Sequence, residues 1–406
     1  MNSDPEIAII GGGLVGLCAA LAIQHPSRQV HVIESSALAQ KKVAGLDSRS
    51  IALSYASVQI FKALGLWNAI KKQAAPIRTI HISSQGRWGV ARLRAADYEL
   101  EALGYVIESN ILGNLLLDQV KKSNLITLDT EAKFESTVLG ESVQINYRGR
   151  NGPKRVNANL VLVADGGSSK ARTSLGIEHR CIDYGQSAVI TNVRVSKPSP
   201  HTAYERFTPQ GPLAMLPLGN NRYACVWTHD PDNTDRLTGL NNDQFAEALQ
   251  KCFGYRLGFI EQVGQRHSFS LHRSEALALA KNRCVLIGSA ANALHPVAGQ
   301  GFNLALRDVA SLCELFHDES VRNLNEFAMA DILSKYEISR KAEHRQVIRL
   351  SDGLVSLYSN ELPLMGHLRA GVLSLLDIIP GLKAQVALFG MGLTFGGNSM
   401  LRGQMP

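Results

Sequence analysis
The chain has 406 residues, 45% hydrophobic and 19% charged, a length and balance that fit about two globular domains around a large core. Forty-two Lys and Arg against 35 Asp and Glu leave a net charge of +7, but no block of five or more basic residues occurs, which sets nucleic-acid binding aside. The six cysteines (18, 181, 225, 252, 284 and 313) form no CxxC pair and match neither a zinc site nor a disulfide framework, so a reducing compartment and no metal are expected.

The first elements read as a βαβ unit. Glu6 to Ile10 is a short apolar strand, Gly11 to Gly16 a turn, Leu14 to Gln24 a helix, and Gln29 to Ile33 a second strand ending at Glu34. Gly11, Gly13 and Gly16 have the spacing of a dinucleotide fingerprint. The first glycine makes the turn, the second lets the backbone approach a pyrophosphate, and the third lets helix and strand pack closely. Glu34 stands where an acid accepts hydrogen bonds from ribose hydroxyls. Glycines cluster in turns by chance, so the motif gains its weight from the strand, helix and acid around it.

Ser57 to Leu66 and Gly113 to Lys122 have helical spacing. Leu125 to Leu128, Ser136 to Leu139, Val143 to Tyr147 and Leu160 to Ala164 read as strands. The last of these ends in Asp165-Gly166, followed by Ser168, Ser169 and Arg172; alone, this is also a strand-end turn with an N-capping serine. From Ser187 to Gln265 the texture changes to alternating strands, such as Ala188 to Val195, Ala203 to Phe207 and Tyr223 to Trp227, with turns such as Gly219-Asn220-Asn221 between them. A mostly antiparallel sheet is expected there, and Thr79 to Ser83, within Ile77 to Arg94, is expected to pair with it. Prolines 209, 212 and 217 bend the segment FTPQGPLAMLPL (Phe207 to Leu218). Pro212, Leu213, Leu216 and Pro217 are the candidate wall for an apolar ring, the alternative being an edge strand of core residues. Trp227 is expected in the core.

Residues 286–308 read LIGSAANALHPVAGQGFNLALRD. A strand, Cys284 to Ile287, runs into a small-residue turn carrying Ser289. After it come the loop Gly299-Gln300-Gly301 and a helix from about Phe302, with Asn303 and Asp308 as its first polar landmarks. The free amides of such a helix start suit an anion or a ring that becomes negative. His295-Pro296 precedes the loop; a lone His there serves as base or proton donor, or as a structural residue bonded to backbone. Helix is expected to continue over Val309 to His317, to recur from Asn325 to Leu350, and to form pieces of the apolar stretch Leu354 to Phe395. The apolar run Ile7 to Ile10 follows acidic residues rather than a basic n-region. The longest apolar run, Gly371 to Gly396, is interrupted by Asp377, Pro380 and Lys383. A cytoplasmic protein is expected.

These motifs, in this order, resemble those of FAD-dependent aromatic-ring hydroxylases. The HP-x-A-G-Q-G-x-N loop, the GPLAMLPL segment and GLDSRSIALS (Gly45 to Ser54) are similar to the ubiquinone-biosynthesis branch of that family. The resemblance implies an α/β (α+β) fold of the p-hydroxybenzoate hydroxylase type. A discontinuous Rossmann-like FAD-binding domain (1–75, 99–186 and 266–330) would carry an inserted substrate-binding sheet (76–98 and 187–265) and a C-terminal helical region (331–406). It further implies that FAD is bound by Gly11, Gly13, Gly16, Glu34, Arg49, Asn114, Asp165, Gly166, Ser289, Gly301, Phe302 and Asn303, with Arg172 fixing the Asp-Gly loop. The ring chemistry would take place beside Gly299, Gln300, Gly301, Pro296 and His295. NAD(P)H and O2 would be co-substrates, with no second GxGxxG needed for the nicotinamide. The implied reaction is hydroxylation of a polyprenylated phenol through a flavin hydroperoxide.

The greasy substrate implies peripheral contact with the inner face of a membrane, and with other ubiquinone-pathway enzymes, through Leu354 to Phe395; the alternative is that those helices pack on the FAD domain. Three positions depart from the family pattern. Ser289 stands where most relatives have Asp, Ala305 where Gly is usual, and Asn114 where Arg or Gln is common. The first two keep open a partly degenerate flavoprotein that organises other enzymes. A flavin hydroxylase of another aromatic substrate is the further alternative.

Overall fold
The computed structural model describes residues 6–38, 46, 49–86, 88–294, 299–316, 324–359, 379–394 and 397–406. Its first sheet is built from short apolar runs. Ile7–Ile10 (IAII) and Leu160–Val163 (LVLV) are buried throughout, as parallel strands covered on both faces must be. They are central in a six-stranded sheet ordered Ala280–Lys281, Cys284–Leu286, Leu160–Val163, Ile7–Ile10, Val30–Ile33 and Ile126–Asp129. Every pair is parallel except the first, a tight antiparallel hairpin. Ile10 is level with both Val163 and Ile33. The residues that leave those three strands, Gly11, Asp165 and Glu34, therefore emerge at one carboxyl edge, where open α/β sheets bind ligands. The helix Leu14–Ile23 leaves from this edge, and the helices Ser109–Lys122 and Gln300–Leu315 pack on it.

A three-stranded sheet (Ser50–Ser54, Gly104–Glu108, Ala75–Ile77) and a meander (Lys133–Leu139, Val143–Gly149, Gly152–Ala158) interrupt the parallel order. The second large sheet has nine strands. Its main order is Asn292–Ala293, His267–Ala276, His179–Val195, Arg222–His229, Gly211–Gly219, Thr202–Thr208, Thr79–Ser84 and Val90–Arg94, with Ile260–Val263 also beside His179–Val195. Neighbours are antiparallel except Thr202–Thr208 and Thr79–Ser84, which run parallel.

Residues 179–186 and 267–276 run in the nine-stranded sheet, paired from His179↔Ala276 to Ile190↔His267. The long strand stays continuous because a register shift between Asp183 and Gln186, with Gly185 at φ 62°, lets it bend without losing its partner. Within the stretch expected to hold strands and turns, Pro231–Gly239 and Asn242–Phe253 are helices. Their start signals are in the sequence: Asp230 caps Asn233 with Pro231 in the first turn, and Asn241 and Gln244 form a capping box.

The C-terminal helix Glu326–Ser359 runs on past Leu350, and Pro380–Met391 is helical within the Leu354 to Phe395 stretch, of which 360–378 lie outside the described residues. Two cores result. One joins the parallel sheet to its helices through Leu17, Phe61, Leu116, Phe316 and Tyr336. The other joins one face of the nine-stranded sheet to the two helices inserted in it through Val193, Leu213, Trp227, Phe245 and Phe253. Among the described residues, no helix is long and apolar enough to cross a membrane.

Candidate cofactor and ring site
The first turn is shaped by contacts that exclude side chains. A Cβ on Gly16 would lie 1.9 Å from the Gly11 carbonyl oxygen, and one on Gly11, at φ 105°, would lie 2.5 Å from the Ala164 oxygen. The first and third glycines thus bring helix, turn and the Leu160 strand together. Gly13 is different: a Cβ there meets nothing within 4 Å, and Gly13 caps the helix Leu14–Ile23 without a side-chain hydrogen bond. The first-turn amides have no side-chain cap, the arrangement that receives a phosphate.

Glu34 stands directly behind this turn, buried. Its Oε2 accepts from the Gly12 amide at 2.6 Å, and its Oε1 from the Ser36 amide at 2.7 Å and the Ser35 hydroxyl at 3.3 Å. A carboxylate has about four acceptor positions, so these three donors leave one for a hydroxyl outside the chain.

The Asp165-Gly166 loop and the Ser289 turn are one unit. Buried Arg172 donates from one nitrogen to the Ala290 carbonyl at 2.8 Å and from another to the Gly167 carbonyl at 3.0 Å. Asp165 Oδ2 accepts from the Ala171 amide at 3.1 Å, whereas its Oδ1 is buried with no partner among the described residues. Ser169 caps the helix Lys170–Ser174, so the N-capping reading of this segment holds together with the arginine's bridging. Gly288, at φ 62°, lies so close to Val15 that a Cβ would stand 3.2 Å from its methyl, which brings the Ser289 turn onto the first helix. Ser289 itself is exposed between buried neighbours and lines a cleft of about 560 Å³ with Gly167, Arg172, His179 and His272.

The second glycine-led helix is Gln300–Leu315, two residues longer at its start than expected. Gly299 caps it at φ 60°, again without a side-chain cap, and a Cβ on Gly301 would meet nothing within 4 Å. Asn303 holds this loop from beneath. Its Oδ1 accepts from the Ser54 amide (2.8 Å) and the Ser57 hydroxyl (2.7 Å), and its Nδ2 donates to the carbonyls of Ala52 (2.9 Å) and Gly299 (2.7 Å). All four hydrogen-bonding positions of the Asn303 side chain are engaged within the protein, so it braces the loop from inside. Its backbone amide belongs to the helix start. Gln300 is buried with Oε1 unpartnered among the described residues, and Phe302 packs against the larger core. His295 and Pro296 lie outside the described residues.

Arg49 is exposed, with its guanidinium 5.9 Å from the Phe269 ring centroid and its carbonyl accepting from the Ser109 amide at 2.8 Å. It thus stands between the nine-stranded sheet and the helix that carries half-buried Asn114. The expected ring wall splits in two. Leu213 pairs with Trp227, Met215 with Cys225 and Pro217 with Tyr223, and these residues are buried on the helix-covered face. Leu213 and Pro217 therefore face the inserted helices. Side chains alternate along a strand, so Pro212, Ala214, Leu216 and Leu218 share the opposite face.

Sequence reading missed a buried charge network behind the helix Gln300–Leu315. Asp308 accepts from Arg340 Nε at 2.7 Å and pairs with His344 Nε2 at 2.7 Å; Glu343 bridges Arg340 and Arg307. Burial alone would raise the Asp308 carboxyl, but His344 and Arg340 beside it hold it below the ordinary carboxylate range. The same long helix reaches the nine-stranded sheet, where Asp352 accepts from the Tyr184 hydroxyl and from Arg273. Asp308 was visible as a polar landmark, but its partners are more than thirty residues away and no local pattern connects them.

Orphaned Asp165 Oδ1, the spare acceptor position on Glu34 and two uncapped glycine-led helix starts fit an elongated dinucleotide with a phosphate centre and a ring that becomes anionic. They define a flavin-dependent oxidoreductase. The chain belongs to the FAD-binding-domain family, which matches residues 4–351, and it is an FAD-dependent monooxygenase. It is 33% identical to the ubiquinone hydroxylase UbiL of Rhodospirillum rubrum over 358 residues, covering 88% of this chain and 82% of that protein. It is 30% identical to the 3-demethoxyubiquinol 3-hydroxylase of Escherichia coli over 397 residues, covering 97% of this chain and all of the relative. In fold it is similar to the p-nitrophenol 4-monooxygenase PnpA of Pseudomonas putida, with a TM-score of 0.79 at 17% identity over 98% of this chain and all of that one.

Proposed function
We propose that this monooxygenase hydroxylates the ring of a polyprenylated phenol in ubiquinone biosynthesis, at the level of a 2-polyprenyl-6-methoxyphenol, using O2 and NAD(P)H. The observation that carries the reading is the juxtaposition of the uncapped Gly299 helix start with an apolar sheet face. Ala52 lies against Gly299, its cross-strand neighbour Val106 packs with Leu216, and Leu216 belongs to the face of the nine-stranded sheet turned away from the inserted helices. When bound, FAD supplies the redox chemistry that joins NAD(P)H oxidation to oxygen insertion.

The chain's own residues bind, orient and exclude water. The amides after Gly13 receive the pyrophosphate, Glu34 a ribose hydroxyl, and Asp165 and Ser289 the middle of the cofactor. The amides of Gln300 to Asn303 place partial positive charge where the ring gains negative charge. Gly166, Arg49 and Asn114 border the same cofactor, and Pro212 and Leu216 form the apolar wall. These roles support a cofactor unit drawn mainly from 1–75, 99–186 and 266–330 and a substrate sheet from 76–98 and 187–265, the shared strands 179–186 and 267–276 joining them. The prenyl chain leads to the further proposal of contact with a membrane face or with other enzymes of the pathway.

The test begins with an absorption spectrum of the purified protein, in which bound flavin is expected. Added short-chain polyprenyl phenol should then accelerate NAD(P)H consumption and yield a ring-hydroxylated product by mass spectrometry. A protein that neither carries nor takes up FAD overturns this reading in favour of a scaffold. Flavin-dependent turnover restricted to non-prenylated rings moves it to another aromatic substrate.

A further inference from the structure
The face of the nine-stranded sheet turned away from the inserted helices carries one acid, Glu205, that no described residue binds. Along Thr202–Thr208 the side chains alternate. Tyr204 packs edge-on against Phe253 with ring centroids 5.4 Å apart, and Arg206 donates to the Cys252 carbonyl at 2.9 Å, so both point to the helix-covered face. Glu205, between them, points the other way. It is flanked by Ala214 on one neighbouring strand and Ile82 on the other. Along its own strand, Ala203 and Phe207 share its face. Ile82 in turn packs with Ala91 and with Val386 of the Pro380–Met391 helix. Ala203 packs with Val106, the neighbour of the Ala52 that touches Gly299. No hydrogen bond or ion pair reaches Glu205 among the described residues. It is partly exposed on this face. Burial among apolar groups, with no donor to offset it, pushes its carboxyl up to about 7. An acid in such surroundings lowers stability and gives the sheet no bond in return.

Resting on the phenol-hydroxylase reading above, we propose that Glu205 receives the proton of the substrate's phenolic hydroxyl as the ring is hydroxylated. The phenol O–H bond breaks, its electron pair stays on the phenol oxygen, and the proton goes to the Glu205 carboxylate. The ring thereby gains electron density at the carbons ortho and para to that oxygen, where an electrophilic oxygen atom enters. A base that titrates near the working pH is the effective one for such a transfer.

The test is Glu205→Gln, which keeps size and shape, studied as FAD-loaded protein with a series of phenols running from methoxy-substituted to nitro-substituted rings. With weakly acidic phenols, kcat for product should fall by about 100-fold, the usual contribution of a general base, with KM little changed. With nitrophenols already ionised in the assay, the ratio of wild type to variant should shrink towards one, because no proton remains to be taken. A merely structural role would lower kcat equally across the series, and that result overturns the assignment. Equal activity of wild type and variant with every phenol also overturns it while leaving the function intact. A flavin-loaded wild type inert to all phenols overturns the proposed function and the role of Glu205 with it.

Discussion
The two ends of the proposed FAD site are both helix starts capped by a glycine, yet they are built in different ways. At the Gly11–Gly16 end, the turn is held by backbone touching backbone: the Gly16 position abuts the Gly11 carbonyl, and Gly11 abuts Ala164. At the Gly299–Gly301 end, the loop is held by one side chain, Asn303, reaching across to Ala52, Ser54 and Ser57, and the helix behind it is braced by Asp308, Arg340 and His344. A backbone-packed turn tolerates no added atom. A side-chain-held loop tolerates added atoms at open Gly301 but not the loss of its brace. The first end is thus specified by neighbours in sequence, the second by residues from three distant segments.

Three substitutions sharpen or break this contrast. Gly16→Ala should have the largest effect. With the new Cβ 1.9 Å from the Gly11 oxygen, helix and strand must separate, at a cost of about 3 kcal/mol or more by the measure of overpacked interiors. Thermal unfolding should show the loss, and FAD should no longer copurify; a stable, yellow Gly16→Ala protein would refute backbone packing at this end. Asn303→Ala should come next. It leaves two buried donors and two carbonyls without their partner, a loss of about 2–4 kcal/mol after relaxation. The melting temperature should drop with and without FAD alike, since the bonds are internal to the protein. A drop seen only in the FAD-loaded form would return the Asn303 side chain to the cofactor.

Glu34→Ala should have the smallest effect on the apoprotein and a selective one on the complex. Loss of a charge-assisted bond to ribose should weaken FAD by about tenfold, or 1.4 kcal/mol, in a fluorescence titration. Unchanged FAD affinity would remove Glu34 from the ribose role and leave it as a brace for Gly12 and Ser36.

Relatives and sheet strands alike show where reading the residues in order succeeds. The βαβ start was legible because glycine spacing and strand length are local, and Gly11 at φ 105° does what its place in the motif demands. Arg172 was legible as a loop-fixing residue, though not that it reaches the Ala290 carbonyl of the other motif. The wall of the ring pocket was only half legible. FTPQGPLAMLPL announces an apolar strand, but its two faces are equally apolar, and a one-residue choice of register exchanges Leu213 for Leu216. The helices Pro231–Gly239 and Asn242–Phe253, which make Leu213 a core residue, lie within a stretch expected to hold only strands and turns, although their capping residues are in the sequence.

The chain order of its motifs determined the family and the cofactor, because glycine turns and apolar strand runs express themselves within a few residues. The tertiary structure decided which side chains are left for chemistry. It engaged all four hydrogen-bonding positions of Asn303, buried Leu213 and Pro217, coupled Asp308 to a helix far along the chain, and left Glu205 without a partner among the described residues on an apolar face. Each of those outcomes depends on what lies across a strand or a helix interface, and such neighbours are set by register and packing rather than by distance along the chain.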